Sequence, residues 1–279
     1  MKIRAHAKIN VGLDVVGKRE DGYHELKMVM LPIELYDLIE IEPALTPSFR
    51  CTPPYRIHPE KNTLLKAIEV CREARPFKEQ FRIHLHKTIP SQAGLGGGSS
   101  DAAAVINYLN DYFRWNLTED ELIALAVKVG ADVPFCLFNR PAIVTGIGEK
   151  MSFFTIKAPL RMILIQPRKG VSTKLAFKDL DIPNLVHPDA EKIAQALQAG
   201  DHLNLFEVMG NALEDKAISL VPEIAVIKNE LIDYGLDYAM MTGSGSVVMG
   251  FSQDEEILLR ALHDLRSQYR FVKMTKVLE

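Results

Sequence analysis

The sequence lacks the cysteine spacing that a disulfide framework or a structural zinc site requires. Its three cysteines, Cys51, Cys71 and Cys136, stand far apart and form no C-x-x-C pair. We interpret them as free thiols buried in the core. The chain also lacks an apolar run of about 18 residues, and its first residues, MKIRAHAKIN, do not form the apolar segment of a signal peptide. These absences predict a cytoplasmic protein without a membrane partner.

Basic clusters are also absent. The 279 residues include 33 Lys and Arg against 36 Asp and Glu, which gives a formal net charge of −3. Without a basic run there is no electrostatic footprint for nucleic acid or an anionic membrane, so an anionic small molecule would need a local site. A composition that is 47% hydrophobic and 25% charged is typical of a soluble enzyme with one large or two modest domains. We expect a monomer or a weak homodimer.

The first segment alternates strictly between apolar and polar residues. From Ile3 to Val15 every odd position is apolar, which predicts a half-buried strand. Lys8 and Asn10 both lie on the polar face of this strand, about 6.6 Å apart by the strand rise. They are therefore expected to project to the same side.

Further strands and helices follow without the regular spacing of βαβ units. Strands are predicted at 29–41, 81–85, 142–146, 161–165, 238–241, 247–251 and 269–275. Helices are predicted after an Asn62 or Thr63 cap and at 102–113, 119–129, 188–199, 204–219, 222–234 and 255–265. Thr118 and Glu121 form a capping box, and Gly130 is expected to end that helix in a left-handed conformation. The order favours an α+β fold, with domains at 1–157 and 158–279.

A glycine-rich segment separates a predicted strand from a predicted helix. It consists of Pro90, Ser91, Gln92, Ala93, Gly94, Leu95, Gly96, Gly97, Gly98, Ser99 and Ser100. Its glycines remove Cβ atoms that would block a close approach, and the helix start offers unpaired N–H groups and a positive dipole end, so the segment is suited to phosphate. It matches neither GxxxxGK[ST] nor GxGxxG. From this segment alone, a flexible loop or a capping turn remains the alternative.

Asp132 lies between a predicted helix and Pro134, a residue suited to the first turn of a new helix. A residue at such a position is often a helix cap. The alternative is a general base that takes the proton from an attacking hydroxyl in phosphoryl transfer. Lys8 would complement that role, because a nearby ammonium keeps the carboxylate ionised and stabilises phosphoryl charge. On its own, Lys8 would be a solvated strand residue.

Three further segments carry weaker signals. Tyr23 and His24 follow a turn and either stack on a planar base or cover a hairpin. Residues 242–246, Thr-Gly-Ser-Gly-Ser, form a second glycine loop, ordinarily a hairpin turn. His84 and His86 share one strand face, but no third ligand is near in sequence, so we predict no metal site.

Three segments taken together resemble the three motifs of the GHMP kinases, in an order and spacing that cover nearly the whole chain. They are Ala7-Lys-Ile-Asn10, Pro90 to Ser100 and Met241-Thr-Gly-Ser-Gly245. Three stretches are most similar to those of family members that act on a cytidine diphosphate-linked methylerythritol in non-mevalonate isoprenoid synthesis. They are Asp21-Gly-Tyr-His24, Gly94-Leu-Gly-Gly-Gly-Ser-Ser-Asp-Ala-Ala103 and Gly130-Ala-Asp-Val-Pro134.

The resemblance implies an ATP-dependent kinase with two α+β domains and an active site in the inter-domain cleft. ATP, with Mg²⁺, would bind residues 90–100. Asp132 would deprotonate the 2-hydroxyl of the methylerythritol moiety, and Lys8 would assist. The substrate would be bound by Asn10, by Tyr23 and His24 near its cytosine, and by Gly243, Ser244 and Gly245.

The chain departs from this family pattern at three positions. His6 stands where proline is usual, Gln92 where a small residue is common, and Ser246 where proline or alanine is familiar. We expect these residues to affect substrate fit and turnover more than the fold.

Two alternatives remain open. One is a GHMP kinase for homoserine, mevalonate or a sugar, against which Tyr23 and His24 argue. The other is a non-catalytic nucleotide-binding homologue, against which the presence of both Lys8 and Asp132 argues.

Overall fold

The computed structural model describes residues 1–20, 22–53 and 62–278. Asp21, the first residue of the Asp-Gly-Tyr-His stretch, lies outside them. The strands are β1 (Lys2–Lys18), β2 (His24–Ala44), β3 (Ser48–Thr52), β4 (Gln80–His86), β5 (Ala142–Gly146), β6 (Lys150–Phe153), β7 (Arg161–Gln166), β8 (Gly210–Asn211), β9 (Tyr238–Met241), β10 (Val248–Phe251) and β11 (Phe271–Lys276). The helices are α1 (Thr63–Ala74), α2 (Gly97–Tyr112), α3 (Glu119–Val129), α4 (Val133–Phe138), α5 (Thr173–Ala176), α6 (Ala190–Ala199), α7 (His202–Val208), α8 (Glu214–Leu220), α9 (Glu223–Asp233) and α10 (Glu255–Leu265), with a 3₁₀ turn at Ile182–Asn184.

The chain folds into two compact units, each assembled from separate stretches. The first unit comprises Met1–Lys8, Leu35–Ile89 and Gly96–Asn139. The second comprises Ile9–Glu34, Pro90–Leu95 and Arg140–Glu279. The domain boundary expected between residues 157 and 158 stays a prediction.

The first unit packs helices beside a short sheet. In it, β4 pairs antiparallel with the end of β2 and parallel with β3. Phe81, Ile83 and Leu85 alternate along β4 and are buried, which confirms the predicted period-two strand. Helix α2 packs against α1 and α4, and burial of each large apolar side chain in such a core stabilises the fold by about 1.5–3 kcal/mol.

The second unit contains a four-stranded antiparallel sheet in the order β11-β7-β10-β9. Helix α9 packs on β9 and β10, and α10 packs on β7 and β11. In the same unit β5 pairs antiparallel with β2 and β6, while β8 runs parallel to β1 at Gly12 and Leu13. Because antiparallel pairs predominate among the described strands and helices are interspersed, the predicted α+β class is confirmed.

The polar face of β1 is more buried than its alternation predicts. The odd residues from Ala5 to Val15 are at most 3% exposed, as expected, but Lys8, Asn10 and Asp14 are also buried, at 4%, 1% and 7% exposure. The expectation of a half-buried strand is therefore wrong over its middle. Buried polar side chains need partners, so this stretch directs attention to Lys8 and Asn10.

Several local signals behave as the sequence predicts. The Asn62 side chain accepts hydrogen bonds from the backbone N–H groups of Leu64 and Leu65 at the start of α1. Both halves of the capping box between Thr118 and Glu121 form at the start of α3. The bounds of α10 agree with the predicted helix at 255–265.

Two helix predictions are wrong. Gly130 ends α3 with φ −179° and ψ 159°, which is extended and not left-handed. The single helix expected at 204–219 is interrupted, because Gly210 and Asn211 leave the helix and pair with β1. Pairing with a distant strand is a tertiary effect that local periodicity does not contain.

Cys71 and Cys136 are buried, as predicted, whereas Cys51 is partly exposed, so its predicted burial is wrong. Burial raises the pKa of the Cys71 and Cys136 thiols to about 12, so both are unreactive at neutral pH. Among the described residues, no helix has the length and apolarity needed to cross a membrane.

Candidate active site

A lysine and a carboxylate from distant parts of the chain meet in the first unit. Lys8 Nζ lies 3.7 Å from Asp132 Oδ2. The Lys8 side chain is 5% exposed, whereas that of Asp132 is 38% exposed. An ammonium held in the interior beside an accessible carboxylate is an arrangement suited to proton transfer at an incoming hydroxyl.

The position of Asp132 is that of a helix cap, but its side chain does not act as one. Asp132 precedes α4, in which Pro134 occupies the first turn, and its side chain makes no capping hydrogen bond. Its backbone is helical, with φ −84° and ψ −9°, whereas a capping residue typically has extended backbone. The structure therefore argues against the capping interpretation and leaves the carboxylate available near Lys8.

Helix α2 begins inside the glycine segment, at Gly97, whereas the sequence predicted that the helix follows Ser100. The preceding residue, Gly96, has φ +67° and would place a Cβ 3.0 Å from Lys8 Cγ and 3.1 Å from Lys8 Cε. Only glycine combines that left-handed backbone with space for the lysine stem. Since Gly96 also has no side chain to cap the helix, the first N–H groups of α2 are left for an anion.

The two serines that follow differ in their surroundings. The Ser100 hydroxyl donates to the His6 carbonyl at 2.6 Å and is buried. In the described part of the chain no group hydrogen-bonds the Ser99 hydroxyl, and Ser99 is half-buried. Ser100 therefore anchors the helix start, while Ser99 is the hydroxyl suited to contact a ligand.

The first half of the glycine segment contacts the second glycine loop within the second unit. A Cβ on Gly94 would lie 2.1 Å from the Thr242 carbonyl oxygen, and one on Gly243 would lie 2.9 Å from the Gly94 carbonyl oxygen. The backbone N–H groups of Ser246 and Val247 donate to the carbonyls of Gln92 and Ala93, each at 3.2 Å. Gly94 and Gly243 thus allow the backbones of the two glycine loops to pack in direct contact, a role that the sequence did not predict.

A buried asparagine, absent from the sequence predictions, fixes the second glycine loop. Asn211 is 5% exposed, and its amide donates to the carbonyls of Met241 at 2.9 Å and Gly243 at 2.8 Å. At the same loop, the Asn10 backbone N–H donates to the Thr242 hydroxyl at 2.9 Å. The Ser244 hydroxyl forms a hydrogen bond with the Thr173 hydroxyl, with 2.9 Å between the two oxygen atoms.

The predicted base-binding pair lies at the turn between β1 and β2. Tyr23 is 60% exposed, and the His24 ring centroid lies 5.2 Å from that of Phe177, tilted by 33°. Burial, with a smaller contribution from Lys18, lowers the pKa of His24, so its imidazole is neutral at pH 7 and can both donate and accept a hydrogen bond. Phe177 was missed by sequence reasoning because its proximity to His24 depends on the fold.

A charged cluster is buried beside α2. Lys87 Nζ contacts Asp37 Oδ2 and lies 2.9 Å from Asp101 Oδ2. The other oxygen of Asp37 accepts the backbone N–H groups of Thr88 at 2.5 Å and Ile89 at 2.9 Å. These bonds fix the end of the 80–89 stretch against the first turn of α2, so we interpret all three charged residues as support for the loop.

The residues present fit a nucleoside triphosphate. Helix α2 is 16 residues long and starts with glycines, which gives both a full helix dipole and backbone N–H donors. A lysine and a partly exposed carboxylate lie beside that start. Such a donor set suits phosphate and its accompanying Mg²⁺, which prefers carboxylate and phosphate oxygens.

Comparison with known families agrees with this geometry. Residues 62–140 match the GHMP kinases N terminal domain and residues 193–270 match the GHMP kinases C terminal model. The chain belongs to the GHMP kinase family, and the predicted two-domain GHMP architecture is confirmed.

Its relatives narrow the class further. The chain is 38% identical to the 4-diphosphocytidyl-2-C-methyl-D-erythritol kinase of Geobacillus sp. (strain WCH70), over 95% of this chain and 92% of that protein. It is also 38% identical to the protein of the same name from Clostridium kluyveri, over 99% of each chain. A crystal structure of 4-(cytidine 5'-diphospho)-2C-methyl-D-erythritol kinase superposes with a TM-score of 0.84 and 33% identity over the full length of both chains.

Proposed function

We propose that the chain transfers the γ-phosphoryl group of ATP to the 2-hydroxyl of 4-diphosphocytidyl-2-C-methyl-D-erythritol, a step of non-mevalonate isoprenoid synthesis. The observation that carries the chemistry is the Lys8–Asp132 pair, 3.7 Å apart, beside the glycine-rich start of α2. The substrate is inferred from full-length relatives that bear its name.

In the proposed reaction, Asp132 accepts the proton of the 2-hydroxyl as its oxygen attacks the γ-phosphorus. The bond between the γ-phosphorus and the β-phosphate oxygen breaks, and ADP leaves. Lys8 stabilises negative charge on the attacking oxygen and the transferred group. The partial exposure of Asp132 supports this role, because a base must be reachable by the hydroxyl.

The phosphates of ATP are assigned to residues 90–100. The N–H groups at the start of α2 and the Ser99 hydroxyl are the donors that we propose for them. Bound Mg²⁺ would neutralise phosphate charge. Gly96 supports the assignment, since its missing Cβ leaves space for the Lys8 stem.

The cytosine is assigned to the aromatic side chains at the turn between β1 and β2. The exposed ring of Tyr23 and the neighbouring rings of His24 and Phe177 offer stacking surfaces for a planar base. A neutral His24 imidazole can also exchange hydrogen bonds with the base edge. We assign Asn10, Gly243, Ser244 and Gly245 to the remainder of the substrate.

The three departures from the family pattern have structural settings that are compatible with turnover. The Gln92 side chain is exposed and packs next to Gly170. Ser246 is buried, and its hydroxyl donates to the Gln92 carbonyl at 3.4 Å. The His6 carbonyl accepts the Ser100 hydroxyl. We therefore propose that these three residues support the glycine-rich segment 90–100 and do not reduce the space for phosphate beside it.

The substrate assignment is tested by ADP release. Purified protein is incubated with ATP, Mg²⁺ and, in turn, the cytidyl substrate, homoserine, mevalonate or galactose. We expect ADP to form with the cytidyl substrate alone. ADP formed with another alcohol would retain the family mechanism but replace the substrate, and ATP binding without turnover on any alcohol would support the non-catalytic alternative.

A further inference from the structure

Sheet pairing places a carboxylate beside two histidines that the sequence shows only as a pair. His84 and His86 project from one face of β4, and Glu40 is the direct register partner of His84 on β2. The two imidazole centroids are 3.8 Å apart. A ring nitrogen of each histidine and a carboxylate oxygen of Glu40 all lie within 4.8 Å of one another. The third ligand that is missing near the pair in sequence is thus supplied by the neighbouring strand.

One nitrogen of this cluster is shielded from water without a hydrogen-bond partner. His86 Nε2 is buried, and no described residue forms a hydrogen bond with it. It lies 3.7 Å from Glu40 Oε1, which is too long for a hydrogen bond. In contrast, His84 Nε2 lies 2.7 Å from the Thr52 hydroxyl, which orients that ring in the manner of the outer partners of metal-bound histidines.

We propose that Glu40, His84 and His86 bind a divalent transition metal of the zinc class, at a site that takes no part in phosphoryl transfer. Two imidazoles and one carboxylate form a donor set typical of zinc, with a fourth position for water. Mg²⁺, which prefers oxygen ligands, is disfavoured there. The side chains of His86 and Glu40 are 36% and 38% exposed, so the cluster borders solvent, and rotation of the His86 ring would bring its buried Nε2 to an entering metal.

The geometry needs only side-chain adjustment. In a tetrahedral zinc site with bonds of about 2.0–2.1 Å, ligand atoms lie about 3.3 Å apart. The ligand atoms here are up to 4.8 Å apart, about 1.5 Å more than in such a zinc site. Rotation about side-chain bonds can bring the atoms together by that amount without moving the paired strands.

Two cations compete with the proposed metal. Lys2 Nζ lies 2.9 Å from Glu40 Oε1, and Arg50 is the register partner of His84 on β3. A metal must displace the Lys2 ammonium from Glu40. Removal of the Lys2 charge should therefore strengthen metal binding. A substitution that only damaged the fold would weaken metal binding instead.

The test is a zinc titration of the full chain against a chromophoric chelator. All variants carry Cys51→Ser, which removes the partly exposed thiol, and are stripped with EDTA and measured at about pH 7.5, where ordinary imidazole is largely neutral. We expect one equivalent of Zn²⁺ to bind. His84→Asn and His86→Asn should each weaken binding at least about tenfold, and Lys2→Met should strengthen it several-fold.

The matched control is His263→Asn, an exposed histidine on α10, which should leave zinc affinity unchanged. Zinc should also raise the Tm of the Cys51→Ser parent chain and of Lys2→Met, but not that of the two ligand variants. The proposal is overturned if the Cys51→Ser parent chain binds no zinc, or if His84→Asn and His86→Asn bind it as tightly as His263→Asn does.

Discussion

At the scale of single residues, the proposed chemistry depends on the carboxylate at the start of α4. Asp132→Asn preserves the shape of the side chain but removes its basicity. We expect kcat to fall by about 10² to 10⁴, the usual range for a lost general base, while the Kd of ATP changes little. Steady-state ADP release gives kcat, and calorimetric titration gives the Kd.

Asp120→Asn is the control for that substitution, because Asp120 is an exposed carboxylate in the first turn of α3. Its kcat should equal that of the wild-type chain. An Asp132→Asn variant with undiminished kcat would exclude this carboxylate from the mechanism.

The close approach of Gly96 to Lys8 gives a second residue-scale prediction. Gly96→Ala places a methyl group about 3 Å from the lysine stem, at a backbone φ of +67°. We expect a loss of about 1–2 kcal/mol in the free energy of unfolding, from backbone strain, and a fall of about tenfold in kcat as Lys8 is displaced. Urea denaturation and ADP release measure the two effects.

Gly17→Ala is the matched control, since a Cβ at Gly17 would meet nothing within 4 Å and the residue does not have a left-handed backbone. It should change neither quantity appreciably. If Gly96→Ala behaved like Gly17→Ala, the proposed packing of lysine on glycine would be unnecessary for function.

The sequence singles out residues whose chemistry is visible locally and misses those that act through distant contacts. Lys8 and Asp132 could be nominated because their types and neighbours are unusual for a strand and a helix start. Asn211 and Lys87 could not be identified in this way, because both act through residues that are distant in sequence. Asn211 donates a hydrogen bond to a carbonyl 30 positions away, and Lys87 donates one to a buried carboxylate on another element. Nothing in their immediate sequence distinguishes them from ordinary polar residues.

At the scale of elements, the capping box of α3 is expected to make a measurable contribution. The Thr118 side chain accepts the Glu121 backbone N–H at 3.3 Å, and the Glu121 carboxylate accepts the Thr118 backbone N–H at 2.9 Å. Thr118→Ala should lower the free energy of unfolding by about 1 kcal/mol. Chemical denaturation followed by circular dichroism provides the value.

Ser172→Ala makes a matched comparison, because Ser172 is also an exposed residue preceding a helix but forms no side-chain capping bond. It should cost no more than a few tenths of a kcal/mol. Equal losses in the two variants would show that residue type, and not the capping bonds, sets the stability.

The sequence predicted the capped starts of two helices correctly but was wrong about the conformation that ends α3 and about the break between α7 and α8. Starts such as those of α1 and α3 are fixed by side chains that bond to nearby N–H groups, so the signal lies within four residues. The end of α3 at Gly130 and the break between α7 and α8 depend instead on what the chain does next: Gly130 leads in extended conformation toward α4, and Gly210 joins β1. Such endings require knowledge of tertiary contacts.

At the scale of the whole molecule, the buried cluster of Lys87, Asp37 and Asp101 should make stability depend on pH. Burial raises the pKa of Asp101 to about 7, although Lys87 opposes the rise, whereas the ordinary value is 3.8. Between about pH 4 and 7 the unfolded chain releases a proton that the folded protein keeps. This carboxyl therefore lowers the free energy of unfolding as pH rises through that window.

Asp101→Asn removes that titration while retaining an oxygen acceptor for Lys87. Relative to the wild-type chain, the variant should become more stable at pH 8 than at pH 5, by on the order of 1 kcal/mol. Urea denaturation at both pH values gives the comparison, with Asp111→Asn, an exposed carboxylate on the same helix, as the control. A variant-to-wild-type difference that is the same at both pH values would contradict the assignment.

The interleaving of the two units also constrains how this protein can be divided or recombined. Each unit is assembled from three stretches of chain, so no single cut releases either unit whole. A crossover between two homologous genes at one point would give a chimaera in which at least one unit mixes segments from both parents. We expect substitutions in the separate stretches of one unit to be inherited together. Chimaeras that exchange a whole unit, with crossovers at all five junctions between the stretches, should be more stable than single-crossover chimaeras.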